Sequence, residues 1–115
     1  MSTVSVESSA TGWSTVHLTG DLSVEDVAQT ADIYEALYRN GIRRVMIDAR
    51  KTHTDYKNLL NFQQRFHDAL GKFEKIALLV KDAEDAFSLK TLAMNNPKAH
   101  VTYSLEEATI WLQLP

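Results

Sequence analysis

The chain has 115 residues, 44% of them hydrophobic and 9% aromatic, which suits one domain with its own core and leaves no need for a second. It has no cysteine, which excludes disulfides, thiolate metal sites and cysteine nucleophiles, and its formal charge of −3 argues against nucleic acid as a partner. No apolar run reaches the roughly 18 residues of a membrane span, and Met1-Ser-Thr-Val-Ser-Val6 lacks the basic and apolar stretches of a leader, so the expectation is a cytoplasmic protein that does not span a membrane.

Val4 and Val6 alternate with Ser and Thr. After the turn-like Ser8-Ser-Ala-Thr-Gly12 the alternation resumes from Trp13 to Leu18, with Val16 and Leu18 on one face and Trp13, Thr15 and His17 on the other. This predicts an antiparallel hairpin. Ser23 and Asp26 have the spacing of a capping box, and Val24, Val27, Ala28, Ala31, Tyr34 and Tyr38 recur at helical intervals until Asn40-Gly41 stops them. Val45-Met46-Ile47, bounded by Arg44 and Asp48, is apolar without alternation, as expected of a central strand covered by helices on both faces. A loop is predicted over residues 49–54. Arg39, Arg43 and Arg44 precede this strand and Arg50 and Lys51 follow it, so a rise of ~3.3 Å per residue keeps the two basic groups roughly 20 Å apart.

Asp55 is placed to cap a second helix with Leu59, Phe62, Phe66, Ala69, Leu70 and Phe73 as its apolar stripe. Ile76 to Val80 reads as another buried strand. A third helix is expected over residues 83–94, with Ala86, Phe87, Leu89, Ala93 and Met94 inward, ended by Asn95-Asn-Pro97. Val101 and Tyr103 mark a short last strand. Ser104 and Glu107 form a second capping-box signature ahead of Ala108, Ile110, Trp111 and Leu112. The order is ββαβαβαβα, an α/β domain with a mixed, mostly parallel sheet and helices packed against it.

His17-Leu-Thr-Gly-Asp-Leu-Ser23, followed by Val27-Ala28 and Leu37, resembles the Gly-Glu-Leu-Asp opening of STAS domains, the family that contains bacterial anti-sigma factor antagonists. Lys75-Ile-Ala-Leu-Leu-Val80 through Val101-Thr-Tyr-Ser-Leu-Glu-Glu-Ala108 and Trp111-Leu112 is similar to the SpoIIAA-like, STAS/Sec14-type branch. The resemblance spans nearly the whole chain and implies a single SpoIIAA-like domain over residues 1–115. Antagonists of that family carry Asp-Ser-Ser-Gly-Leu after the central strand, with a serine that a partner kinase phosphorylates. This chain reads Asp48-Ala-Arg-Lys-Thr-His-Thr-Asp-Tyr56 instead, with no Ser-Ser-Gly, which leaves Thr52 and Thr54 as the aliphatic hydroxyls that could take the serine's place.

In open α/β sheets ligands collect beyond the carboxyl ends of parallel strands, which directs attention to residues 20–23, 48–55 and 81–83. Each stretch holds an aspartate. Asp21, Asp48 and Asp82 offer oxygen ligands for Mg²⁺, but the preferred reading is that aspartates near helix starts satisfy free N–H groups. His53, Asp55 and His67 contain metal-donor types without a spacing that brings them together, and no Gly-x-Ser-x-Gly elbow is present. No metal site, cofactor or catalytic residue is therefore expected.

Thr52 and Thr54 precede a predicted helix start, where a phosphate would meet free N–H groups, with Arg50 and Lys51 near in sequence. The alternative is that Thr54 or Asp55 simply caps the helix. Phe87, Leu92 and Met94 widen the apolar face of the third helix beyond one core stripe, which fits a dimer, a protein partner or an acyl chain. The expected function is a non-enzymatic regulatory or protein-interaction module. Its partner or switch candidates are Asp21, Asp48, Thr52, His53, Thr54 and Asp55, and its apolar contact candidates are Phe87, Leu92 and Met94. The alternative is a Sec14-like carrier of a small apolar ligand or lipid, and a homodimer is compatible with both.

Overall fold

The computed structural model describes residues 3–8, 12–53, 63–93 and 96–115. The first alternating segment is β1 (Thr3–Ser8), which pairs antiparallel with β2 (Ser14–Asp21), Val4 opposite Leu18 and Val6 opposite Val16. Helix α1 (Val24–Arg39) begins at a complete capping box: Ser23 Oγ accepts from the Asp26 N–H at 3.0 Å and Asp26 Oδ2 accepts from the Ser23 N–H at 3.1 Å. It ends where Asn40 N–H returns to the Ala36 and Leu37 carbonyls and Gly41 takes φ +94°. Along it Ala31 and Tyr34 are buried and Tyr38 is half-buried, and burial pushes the Tyr34 phenol up to about 12 against the opposing hydrogen bond with Thr30.

The remaining elements are β3 (Arg44–His53), α2 (Gln63–Leu70), β4 (Lys75–Leu79), α3 (Ala83–Ala93), β5 (Ala99–Thr102) and α4 (Leu105–Gln113). The sheet runs in chain order from β1 to β5, and every pair after the first is parallel. Residues 49–53 correct the expected loop. They continue β3 because β2 extends far enough to pair with them, Gly20 beside Thr52 and Asp21 beside His53, so the ladder partner decides the strand's length rather than apolar content.

Successive residues of β3 and β4 enter two different cores. Val45, Ile47, Ala49, Ile76, Leu78 and Val80 join Val16 and Leu18 against residues of α1, α2 and α3, with Phe73 wholly buried among them. Met46, Ala77 and Leu79 face the other way, onto Trp13 and the Ala108 and Leu112 of α4. The unbroken apolar runs therefore reflect helix layers on both faces, as the sequence predicts.

Basic residues of the sheet hold the C-terminus of α4, which has none in its own last turn. Arg44 donates to the Leu112 and Leu114 carbonyls at 2.5 and 2.8 Å, and Lys75 donates to the Trp111 carbonyl at 3.1 Å while lying over its ring. Trp111 Nε1 reaches the Ile76 and Lys98 carbonyls at 3.1 and 3.2 Å, which ties α4 to the start of β4 and the approach to β5.

Three sequence expectations need correction. Only half of the second capping box forms: Ser104 Oγ accepts from the Glu107 N–H at 3.2 Å, but Glu107 turns to the Thr102 hydroxyl at 2.9 Å and to His100 at 3.1 Å, and Thr102 accepts the Ser104 N–H. Those two partners hold the Glu107 carboxyl below the usual carboxylate range. Tyr103 lies beyond β5 and is exposed, because β5 ends at Thr102 to give α4 its start. Phe87, expected inward, is 75% exposed, since Ala86 is the residue α3 buries at that turn. Leu59, Phe62, Met94 and Asn95 lie outside the described residues, as do the side chains of Val24, Val27, Ala28, Phe66, Leu89, Leu92 and Ala93.

Removing Leu112, 1% exposed at the centre of the smaller core, opens a cavity under α4, so Leu112→Ala is expected to cost about 2–5 kcal/mol in urea unfolding. A cost below about 1 kcal/mol would show that α4 does not seal this face.

Candidate functional site

The β2–β3 ladder breaks step once. His17 pairs with Asp48 and Thr19 pairs with Lys51, so three residues of β3 span the length of two on β2. Asp48 stabilises this bulge: its Oδ1 accepts the Arg50 backbone N–H at 3.1 Å, and its two oxygens take a bidentate pair of bonds from the Arg50 guanidinium, each 3.0 Å. Beyond the bulge, Thr52 sits beside Gly20 and is 5% exposed, its hydroxyl donating to the Gly20 carbonyl at 3.0 Å. Gly20 takes φ +84°, a conformation that favours glycine and lets the end of β2 follow the displaced strand.

Asp48 belongs to a wider network on the face that carries α4. His17 Nδ1 lies 3.3 Å from Asp48 Oδ2 and its Nε2 lies 3.0 Å from Glu7 Oε2, so one imidazole links the edge strand to the central strand. Burial alone would raise the Asp48 pKa, but the hydrogen bonds from Arg50, with the charges of Arg50 and His17, outweigh it and hold the carboxyl below the ordinary carboxylate range. The network borders an open groove of about 430 Å³, where Trp13 and Met46 make an apolar floor and Leu105 and Thr109 of α4 make one wall.

The candidate residues divide between two places. Asp21 is exposed at the end of β2 and stands next to His53 in the ladder, and Thr52 is one rung earlier. Asp48 is five residues before His53, so a rise of ~3.3 Å per residue places it roughly 15 Å down the sheet from Asp21. Asp82 is elsewhere again: its Oδ1 accepts the Asp85 N–H at 2.9 Å at the start of α3, the capping role expected of it. The three aspartates therefore do not converge on one ion. Thr54, Asp55 and the His53 side chain lie outside the described residues; His67 is exposed on α2.

Glu7 and His17 were not among the candidates. A signal for them was present, because the hairpin register follows from setting Val6 opposite Val16, and that register makes Glu7 a diagonal neighbour of His17 on the polar face. Asp48 meets His17 only once the parallel β2–β3 register is known. Among the described residues no helix is long and apolar enough to cross a membrane.

No protein-family profile matches the sequence and no curated protein matches it. Solved structures do. An anti-sigma factor antagonist from Mycobacterium paratuberculosis is 15% identical, with a TM-score of 0.71 over 99% of this chain and 96% of that one. An uncharacterised protein of the DUF3478 family with a SpoIIAA-like fold, from Shewanella loihica PV-4, is also 15% identical, with a TM-score of 0.66 over 96% and 93%. The Bacillus cell fate determinant SpoIIAA in its phosphorylated form is 13% identical, with a TM-score of 0.58 over 94% and 97%. The chain thus has the SpoIIAA-like STAS fold that its resemblance implies.

Asp48→Asn would remove the bidentate bonding to the Arg50 guanidinium, which is exposed and can turn to solvent, at an expected cost of about 0.5–1.5 kcal/mol at neutral pH. Because the folded-state pKa of Asp48 is depressed, its contribution is present above the unfolded carboxyl pKa of about 3.9 and fades as pH falls through the lower folded value. Urea unfolding at pH 7 and pH 3 should show the gap between wild type and variant narrowing in acid; an equal gap at both would contradict the pairing.

Proposed function

We propose that this chain is a non-enzymatic regulatory module that binds another protein at the carboxyl ends of β2 and β3, through residues 20–23 and 52–55. The observation that carries this reading is the match of fold over 99% of the chain to an anti-sigma factor antagonist, which makes a protein of the anti-sigma factor class the partner of choice. The position of Asp21 beside His53 at the open end of the sheet supports it, since ligands of parallel sheets collect there. Asp48, down the strand, acts on this surface indirectly by holding the bulge that sets where Thr52 and His53 lie.

The switch hydroxyl in this proposal is Thr54. Thr52 is buried with its hydroxyl donated to Gly20, so a kinase would have to pull it out of the ladder, whereas Bacillus SpoIIAA is known in a phosphorylated form. Both described grooves are open and lined by charged as well as apolar side chains, which favours a protein surface over an acyl chain as the occupant. Phe87 on α3 offers a second contact point.

Calorimetric titration against the purified anti-sigma factors of the source genome tests the proposal. Wild type should bind one of them, Asp21→Lys/Asp55→Lys should bind it at least ~10-fold more weakly, a loss of about 1.4 kcal/mol, and Thr54→Glu should weaken binding where Thr52→Val does not. Binding unchanged in the double charge reversal, with its circular dichroism spectrum native, would remove this surface from the account.

A further inference from the structure

The two edges of the sheet are built differently. β5 is four residues long, follows directly on Pro97 and Lys98, and is spanned by Glu107 of α4 reaching His100 and Thr102. β1 is six residues long and exposed throughout; it carries no lysine, proline or bulge, and its one charge, Glu7, is turned toward His17 of β2, so little on the strand opposes pairing with another chain. Its side chains alternate strictly. Val4 and Val6 are 36% and 46% exposed on the α1 side, and Thr3, Ser5 and Glu7 occupy the other face.

We infer that β1 pairs with β1 of a second copy of this chain, antiparallel about a two-fold axis through Ser5, so that two five-stranded sheets join edge to edge. The sequence is complementary to itself in that register. Directly opposed residues of an antiparallel pair share a face, and setting Ser5 against Ser5 puts Val4 against Val6 on one face and Glu7 against Thr3 on the other. A slip of one residue sets valine against polar side chains. Pairing Val4 with Val4, or Val6 with Val6, shortens the ladder, and pairing Glu7 with Glu7 opposes like charges.

The apolar surface also continues across the join. Val4 lines an open groove of about 510 Å³ whose apolar part is Leu22 and Ile33, bordered by Asp26, Gln29, Thr30 and Asp32, so the four valines of the pair adjoin an apolar strip in each copy. On the other face Glu7 is engaged by His17 of its own chain, on the β2 side away from the join, so its charge needs no partner across the interface. This interface lies along β1 and leaves the carboxyl ends of β2 and β3 free, so it is independent of the proposed partner surface.

The absence of native cysteine gives a direct test by single-cysteine crosslinking. At the inferred axis the two copies of residue 5 have Cα atoms about 4.5–5.5 Å apart, within disulfide range, whereas the two copies of residue 3 are four residues apart along the ladder, roughly 13 Å. Sedimentation of the wild-type protein should approach twice the 13.0 kDa chain mass as concentration rises. Mild oxidation should convert most of Ser5→Cys to a covalent dimer and leave Thr3→Cys uncrosslinked. The inference is overturned if wild type keeps the single-chain mass up to about 1 mM, where even weak association is populated, or if Thr3→Cys crosslinks as readily as Ser5→Cys.

Discussion

The rest of the structure depends on β3 serving two cores at once. Val45, Ile47 and Ala49 pack against the layer of three helices while Met46 packs against α4, so the strand cannot slip by one residue without exchanging the two sets. The helix layers are unequal. A nine-residue α4 is too narrow to cover five strands; among the described residues it packs over β3 to β5, and the same face of β1 and β2 is exposed to half-buried. The composition of that face follows from this asymmetry. Thr3, Ser5, Glu7, Thr15, His17 and Thr19 are polar where, among the described residues, no helix packs over them, and Asp48 and Arg50 continue the polar surface onto β3.

The bulge at residues 49–50 is where the two requirements meet. Before it, β3 is apolar on both faces; after it, the strand is polar in sequence and is held by specific bonds, Asp48 to Arg50 and Thr52 to Gly20. Those bonds carry β3 to His53 and so determine what stands at the open end of the sheet beside Asp21. Asp48 is buried and Arg50 is solvent-exposed, so the ion pair itself stabilises modestly, and what Asp48 adds is its bond to the Arg50 N–H, which fixes the bulge that sets the strand end. The functional proposal and the architecture are linked through that residue.

Much of this was legible in the sequence, and the exceptions share a cause. The hairpin, the first capping box, the stop at Asn40-Gly41 and the two-sided strands all follow from local pattern and were read correctly. The extension of β3 has no local signal because Asp48 to His53 lacks apolar periodicity; its strand conformation comes from the ladder with β2, whose partners lie about thirty residues earlier in the chain. The inward expectation for Phe87 failed for a related reason: Ala86 is the smaller residue and allows α3 to approach the sheet closely, which leaves Phe87 on the outer side. At the site, Asp21, Asp48 and Thr52 were named from the strand-end rule, but the link from Glu7 through His17 to Asp48 depends on the order of three strands and could not be read from spacing alone.

Native-state hydrogen exchange of the uniformly ¹⁵N-labelled protein tests the central claim most directly, because it reports residue by residue where β3 ends. The account predicts slow exchange, opening only with global unfolding, for ladder amides from Val45 through Thr52. Protection that stops at Asp48, with residues 49–53 exchanging as freely as a loop, would contradict it.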